Sequence, residues 1–268
     1  MTNILLTVSY DGTDFCGWQR QDKADAGKSV RTVQGVLEHA LEKMLGTHVD
    51  LQGSGRTDSG VHAAAQAANF ISPHDNIPVQ KYTYALNGAL PPDIRIISSE
   101  KVADDFSSRY NATSRTYRYF IHTVTVPQAR DMRYVWPIPF RPDLSLLNDM
   151  CSFLHGEMNC STFAAAGDKS VSMNRCITQA HFWYEGDVLV FEIEANAFLW
   201  KMVRSVTGTL IDCTRNMPEN AGTEEYDKRV QFFKSIVESH DRRQVGVTAP
   251  PQGLFLWKVS FDGVRLFA

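Results

Sequence analysis

Apolar positions along the chain recur with two periods, and the changes between them mark out its elements. Ile4 to Tyr10 is a run of β-formers closed by Asp11-Gly12, which predicts a strand and a turn. Thr32 has the chemistry of a helix N-cap. Val33, Val36, Leu37, Ala40, Leu41, Met44 and Leu45 follow at helical spacing, and Gly46 stops the run. Ala63 to Ile71 is read as a strand: its alanines favour helix, but it is short and ends in Phe70-Ile71 before Pro73. Val79 to Leu86 is a second helix and Ile94 to Val102 a third strand of this half. From Tyr110 the pattern restarts, with β-formers over Thr116 to Val126 and a helix over Leu144 to Leu154. Cys176 to Tyr184 and Val188 to Ala195 read as a hairpin around Glu185-Gly186-Asp187. Leu199 to Ile211 is expected to be an amphipathic helix and Glu224 to Ser239 another, with Leu254 to Phe261 a closing strand. Strands and helices mix without strict βαβ alternation. An α+β fold in two similar halves is expected, 1–108 and 109–268.

Composition adds exclusions. The chain has 268 residues, 43% hydrophobic and 21% charged, which rules out a disordered or fibrous protein. No apolar window is long enough for a membrane helix, and the first residues lack the features of a signal peptide. The five cysteines form no C-x-x-C pair and are expected as free thiols in a cytoplasmic protein. No metal-binding spacing, P-loop or dinucleotide fingerprint is present, so no metal or cofactor is expected. The formal charge of −3 argues mildly against a nucleic-acid partner, but its distribution argues the other way. Between Phe106 and Pro142 lie six arginines (Arg109, Arg115, Arg118, Arg130, Arg133 and Arg141) against one acid, Asp131. Tyr110, Tyr117, Tyr119, Tyr134 and Trp136 are interleaved with them, a pattern suited to phosphate contact with base stacking.

The densest polar cluster is Gly53-Ser54-Gly55-Arg56-Thr57-Asp58-Ser59-Gly60-Val61-His62. Its glycines permit positive φ and close ligand approach. A lone Asp in such a loop usually bonds backbone amides. The company of Arg56 and His62 within ten residues favours a site. Arg56 is also suited to holding phosphate.

Six segments in order resemble the tRNA pseudouridine synthase A family. They are Tyr10-Asp11-Gly12-Thr13-x-Phe15-x-Gly17-Trp18-Gln19, Thr32-Val33-Gln34-Gly35 and Gly55-Arg56-Thr57-Asp58-x-Gly60-Val61-His62-Ala63, then Ala112-Thr113-Ser114-Arg115-Thr116-Tyr117-Arg118-Tyr119, Asn196-Ala197-Phe198-Leu199-x-x-Met202-Val203-Arg204 and Ala249-Pro250-Pro251-x-Gly253-Leu254. The resemblance implies the pseudouridine synthase fold: two α/β halves with mainly antiparallel sheets meeting at a central RNA-binding cleft. It implies isomerisation of uridine to pseudouridine at positions 38–40 of the tRNA anticodon stem-loop, without cofactor or metal, by a homodimer. It makes Asp58 the catalytic carboxylate, as nucleophile toward the sugar or as base. Arg204 would hold Asp58 ionised. Tyr117 would stack on the displaced base, and Leu254 would wall the pocket. Arg56, Arg115 and Arg118 are the expected RNA contacts. A related synthase with other target uridines, or a non-catalytic RNA-binding protein, are the alternatives. The chain departs from the family pattern at Ser59, where Ala is usual, and in a longer loop from Gln21 to Ser29 that carries Lys23 and Lys28.

Overall fold

The computed structural model describes residues 1–21, 30–124, 126–218 and 222–264. The loop carrying Lys23 and Lys28 lies outside the described residues. The structure divides into two units, residues 1–113 with 255–264 and residues 114–254.

In the first unit, strand β1 (Thr2–Tyr10) alternates as a half-buried strand must, with Ile4, Leu6, Val8 and Tyr10 on the core side. Helix α1 (Val33–Leu45) begins and ends where the side chains require. Thr32 Oγ1 accepts the Gly35 N–H at its start, and Gly46 closes it in the left-handed region at φ 73°. Then come β2 (Gln52–Gly53), β3 (His62–Ser72), α2 (Val79–Ala89) and β4 (Ile94–Lys101). The β-branched and aromatic end of the alanine run prevails, and β3 is a strand of 11 residues. It lies antiparallel to β1, which is antiparallel to β4 on its other side. The chain's last strand, β10 (Leu254–Ser260), returns to this unit and runs parallel to β3, with Phe255 opposite His62. The boundary expected at 108 therefore falls at 113, and the strand expected in the second half joins the first unit from Phe255 onward. That long-range pairing has no signature in local periodicity.

The second unit orders its sheet β5-β9-β8-β7. The strands are β5 (Ser114–His122), β7 (Gly156–Asn159), β8 (Asn174–Glu185) and β9 (Val188–Ala195), all antiparallel neighbours. The short β6 (Trp136–Pro137) pairs in parallel with β5. Periodicity misses β2, β6 and β7 because two to four residues carry no pattern. Helix α3 (Leu144–Cys151) packs against β8 and is capped by Asp143, whose Oδ1 accepts the Leu146 N–H at 2.9 Å. The α+β class and the mainly antiparallel sheets are as expected.

Helix α4 (Met202–Thr214) corrects the sequence expectation in two ways. It starts three residues later than Leu199, after a turn in which Lys201 takes a left-handed conformation at φ 59°. It is also buried nearly all round rather than amphipathic. Ser205, Thr207, Thr209 and Thr214 are as buried as Met202, Val206 and Leu210. The three threonines satisfy their own hydroxyls by donating to carbonyls within the helix, of Val203, Ser205 and Ile211, at 2.7–2.8 Å. Burying these hydroxyls is tolerable because they are paired; the Ser205 Oγ alone of the four is buried with no hydrogen-bond partner among the described residues. Helix α5 (Thr223–Glu238) packs against both α3 and α4, burying Phe233, Ile236 and Val237, and keeps its charged side outward.

Helix α4 approaches the segment after α5 so closely that a β-carbon on Gly208 would lie 1.7 Å from the Val247 carbonyl oxygen. Gly208→Ala is expected to cost about 2 kcal/mol or more, because backbone must move to admit the methyl group. In α2, Gly88 faces open space, and Gly88→Ala is expected to gain about 0.5–1 kcal/mol. Urea unfolding of both variants checks the pair; equal effects would contradict the packing at Gly208.

Candidate active site

The Asp58 loop is held along its length by backbone and buried side chains of the first unit. Ser54 starts it by donating its N–H to the Ala67 carbonyl and its Oγ to Gln66 Oε1 (2.6 Å), while Gln66 Nε2 donates to the Gly55 carbonyl (2.9 Å). Thr57, next to Asp58, is buried; its hydroxyl shares a 2.8 Å hydrogen bond with Tyr10 OH, and its carbonyl accepts the Trp18 N–H. On the other side Ser59 Oγ and the Gly60 N–H both donate to the Phe15 carbonyl. Asp58 closes a turn by accepting the Val61 N–H with its own carbonyl (3.2 Å). Its carboxylate stands half-buried on a fixed backbone.

The turn Asp11 to Trp18 comes against this loop through its glycines. A β-carbon on Gly12 would lie 2.0 Å from the Val61 carbonyl oxygen, and one on Gly17 2.6 Å from that of Thr57. His62 is fully buried between them. Its Nδ1 accepts the Gly12 N–H at 3.0 Å, Asp11 Oδ1 lies 3.2 Å from the same nitrogen, and its ring stacks on Phe255 at 4.5 Å. His62 thus braces the loop. Arg56 is exposed, and its Nε donates to Gln19 Oε1 at 3.3 Å.

The remaining expected site residues belong to the second unit. Tyr117 on β5 is 9% exposed and meets Phe198 edge-on at 5.1 Å. Arg204 on α4 is half-buried and donates from Nε to the Ala249 carbonyl at 2.7 Å, while its own carbonyl accepts the Ala249 N–H. Leu254 is buried at the start of β10. Strand alternation separates the two arginines flanking Tyr117. Arg115 is on the same face as Tyr117 and donates to the Asn196 carbonyl at 2.8 Å. Arg118 is on the opposite face, where Nε donates to Glu192 Oε2 at 2.6 Å and the guanidinium lies over Trp183.

The basic stretch is accordingly less one-sided than its linear count. Glu192 on β9 meets Arg118, and Asp187 in the β8–β9 turn lies 3.8 Å from Arg141, whose guanidinium also covers Tyr184. Neither acid is near these arginines in sequence. Tyr119 has a part that the sequence did not single out. It is buried, its hydroxyl donates to the Pro250 carbonyl at 2.6 Å, and Gly253 leaves room for its ring. Burial pushes its pKa well above the usual phenol value, and the Arg204 guanidinium opposes that rise. It therefore serves as a neutral donor linking β5 to the Pro250 segment beside Arg204. Among the described residues, no group of three His, Cys, Asp or Glu side chains is arranged to hold a metal, and no helix is long and apolar enough to cross a membrane.

The sequence matches the family described as tRNA pseudouridine synthase over residues 6–111 and 150–262. The tRNA pseudouridine synthase A of Treponema denticola is 49% identical over 259 residues, covering 97% of this chain and 92% of that protein. The protein of the same name from Treponema pallidum strain Nichols is 45% identical over 243 residues, covering 91% and 83%. That from Caldicellulosiruptor saccharolyticus is 39% identical over 261 residues, covering 97% and 100%. Among solved structures, a Cbf5-Nop10-Gar1 complex aligns at TM-score 0.32 with 10% identity, covering 78% of this chain and 53% of that one. That likeness is too distant to support a functional reading.

The raised pKa of Tyr119 has a sign that can be tested. A group whose folded pKa is raised contributes stability below its unfolded pKa of about 10 and loses it as pH climbs toward the folded value. Tyr119→Phe is expected to cost about 1–3 kcal/mol at neutral pH through the unpaired Pro250 carbonyl. It should also reduce the alkaline loss of stability above about pH 10. Thermal melts from neutral to alkaline pH check both; parallel curves for the two proteins would remove Tyr119 as the titrating group.

Proposed function

The chain belongs to the tRNA pseudouridine synthase family, and we propose that it isomerises uridines 38–40 of the tRNA anticodon stem-loop with Asp58 as the catalytic carboxylate. It is an isomerase that makes pseudouridine in tRNA. The conversion breaks the C1′–N1 bond, turns the uracil and bonds C5 to C1′. The C5 proton is lost and N1 gains one, so no atoms, electrons or donor group are needed from outside. The target base must first leave its stack.

The observation that carries the proposal is the immobilised loop. Thr57 and Ser59 are anchored on either side of Asp58, so a half-buried carboxylate is presented without freedom of its backbone. A group that must meet C1′ or a sugar proton gains most from that restraint. In the proposal Asp58 attacks C1′ or removes a sugar proton, and both roles need it ionised. Tyr117 stacks on the displaced uracil, in a position already set by Phe198, and Leu254 adds apolar wall. Stacking of this kind returns about 1–3 kcal/mol per base. Arg204 supplies positive charge for the carboxylate. Arg56 and Arg115 contact RNA phosphates, with Arg118 a lesser contributor because Glu192 already meets its charge. A cytoplasmic homodimer belongs to the same proposal through the family resemblance.

Asp58→Ala is expected to lower tritium release from 5-³H-uridine tRNA by about 10⁴-fold or more while tRNA binding is largely kept. Turnover near wild type would remove Asp58 from the chemistry. Pseudouridine mapping in tRNA from cells with and without the protein tests the target; unchanged maps at 38–40 would overturn it. Arg115→Ala is expected to lower the salt slope of tRNA binding by about 0.7–0.9, the share of one phosphate contact, and Arg118→Ala by less. The reverse order would exchange their assignments.

A further inference from the structure

Glu38 is a buried carboxylate outside the chemistry above. It lies on α1 at 3% exposure, among Val33, Leu37, Ala40, Leu41 and Leu45. Both of its oxygens are engaged. Oε2 accepts from Arg20 Nη1 at 2.5 Å, and Oε1 accepts from Gln34 Nε2 at 2.9 Å and from the Leu51 N–H at 3.2 Å.

An ionised carboxylate can only accept, so Gln34 must turn its NH₂ toward Glu38 and its carbonyl oxygen away. That oxygen accepts from Gln19 Nε2 at 2.6 Å and from the Arg20 N–H at 2.9 Å. Gln19 is oriented in turn, and its Oε1 accepts from Arg56 Nε at 3.3 Å. A flipped amide at either position would set oxygen against oxygen or NH₂ against a donor. Polarity therefore runs from one buried charge through two amides to an exposed guanidinium. Arg56 uses Nε on Gln19, which leaves its Nη1 and Nη2 donors as the pair that suits two oxygens of a phosphate.

We propose that Glu38 is a positioning residue for substrate RNA: through Gln34 and Gln19 it fixes Arg56 as a two-pronged donor for one backbone phosphate at the Asp58 loop. This rests on RNA entering over that loop, as the proposed function requires. The relay lowers the cost of ordering a long, exposed side chain at the moment of binding.

The test uses the full chain and unmodified tRNA. Wild type, Glu38→Gln, Gln34→Leu and Arg56→Ala are compared with both double variants. Glu38→Gln and Gln34→Leu are each expected to raise KM about tenfold and to keep kcat within about twofold. Each should also lower the salt slope of binding toward that of Arg56→Ala. In the Arg56→Ala background neither should weaken binding further, because the group they orient is gone. Equal losses with and without Arg56 would overturn the relay and leave Glu38 as a support of the fold. Gln34→Leu spares the contacts of Glu38 with Arg20 and Leu51, so it carries the test alone where Glu38→Gln does not fold. Failure of the wider proposal is read separately, from wild-type pseudouridine maps, while coupling of Glu38 to Arg56 is read from tRNA affinity.

Discussion

The backbone of the 11–18 turn presses on the backbone of the Asp58 loop, and the position of the carboxylate depends on that contact. At Gly12 and Gly17 the separation from the facing carbonyls leaves no space for a β-carbon. Gly17 also adopts φ 89°, which side chains disfavour. Once the two segments touch, the Trp18 N–H reaches the Thr57 carbonyl and the Phe15 carbonyl receives Ser59 and Gly60. Buried His62 joins the Gly12 amide to the Phe255 ring and locks the end of the loop. Conformational freedom that an Asp in a glycine-rich loop would otherwise keep is removed before any ligand arrives.

The second unit reaches the same end with different parts. Gly208 lets α4 lie against the Val247 carbonyl, and three hydrogen bonds form around that approach: Ala249 N–H to the Arg204 carbonyl, Arg204 Nε to the Ala249 carbonyl, and Val247 N–H to Asp212 Oδ2. Tyr119 anchors the same segment from the sheet through the Pro250 carbonyl. The direction of Arg204 is thus tied to a chain of contacts from β5 to α4. Enclosing such a helix is eased where its polar residues are small and self-satisfied, as the three threonines are, and leaves one unpaired hydroxyl among the described residues, that of Ser205.

The charge that a ligand meets is set in three dimensions. A run from 107 to 141 holding one acid looks like a basic face, and the net charge of −3 looks like none. Neither average describes the surface, because Glu192 is spent on Arg118 and Asp187 lies beside Arg141. On the other unit, Glu38 lowers the net charge by one but holds two arginines in place, Arg20 directly and Arg56 through glutamines. A carboxylate can serve an anionic ligand when it orients the cation that meets it.

The elements most visible along the chain were those governed by neighbours. The cap at Thr32, the stop at Gly46, the strand from Ile4 and the hairpin around Gly186 all depend on residues within about one helical turn or one tight turn. The Asp58 loop stood out for the same reason: its glycines and polar groups are contiguous. Other features depended on partners far away in the chain. The return of β10 to β3, the burial of the threonine face of α4, the opposite faces of Arg115 and Arg118, and the amide relay from Glu38 joined positions that no local period connects. Hydrogen-bond direction and burial are properties of pairs, so those features became definite only when the folded backbone brought the pairs together.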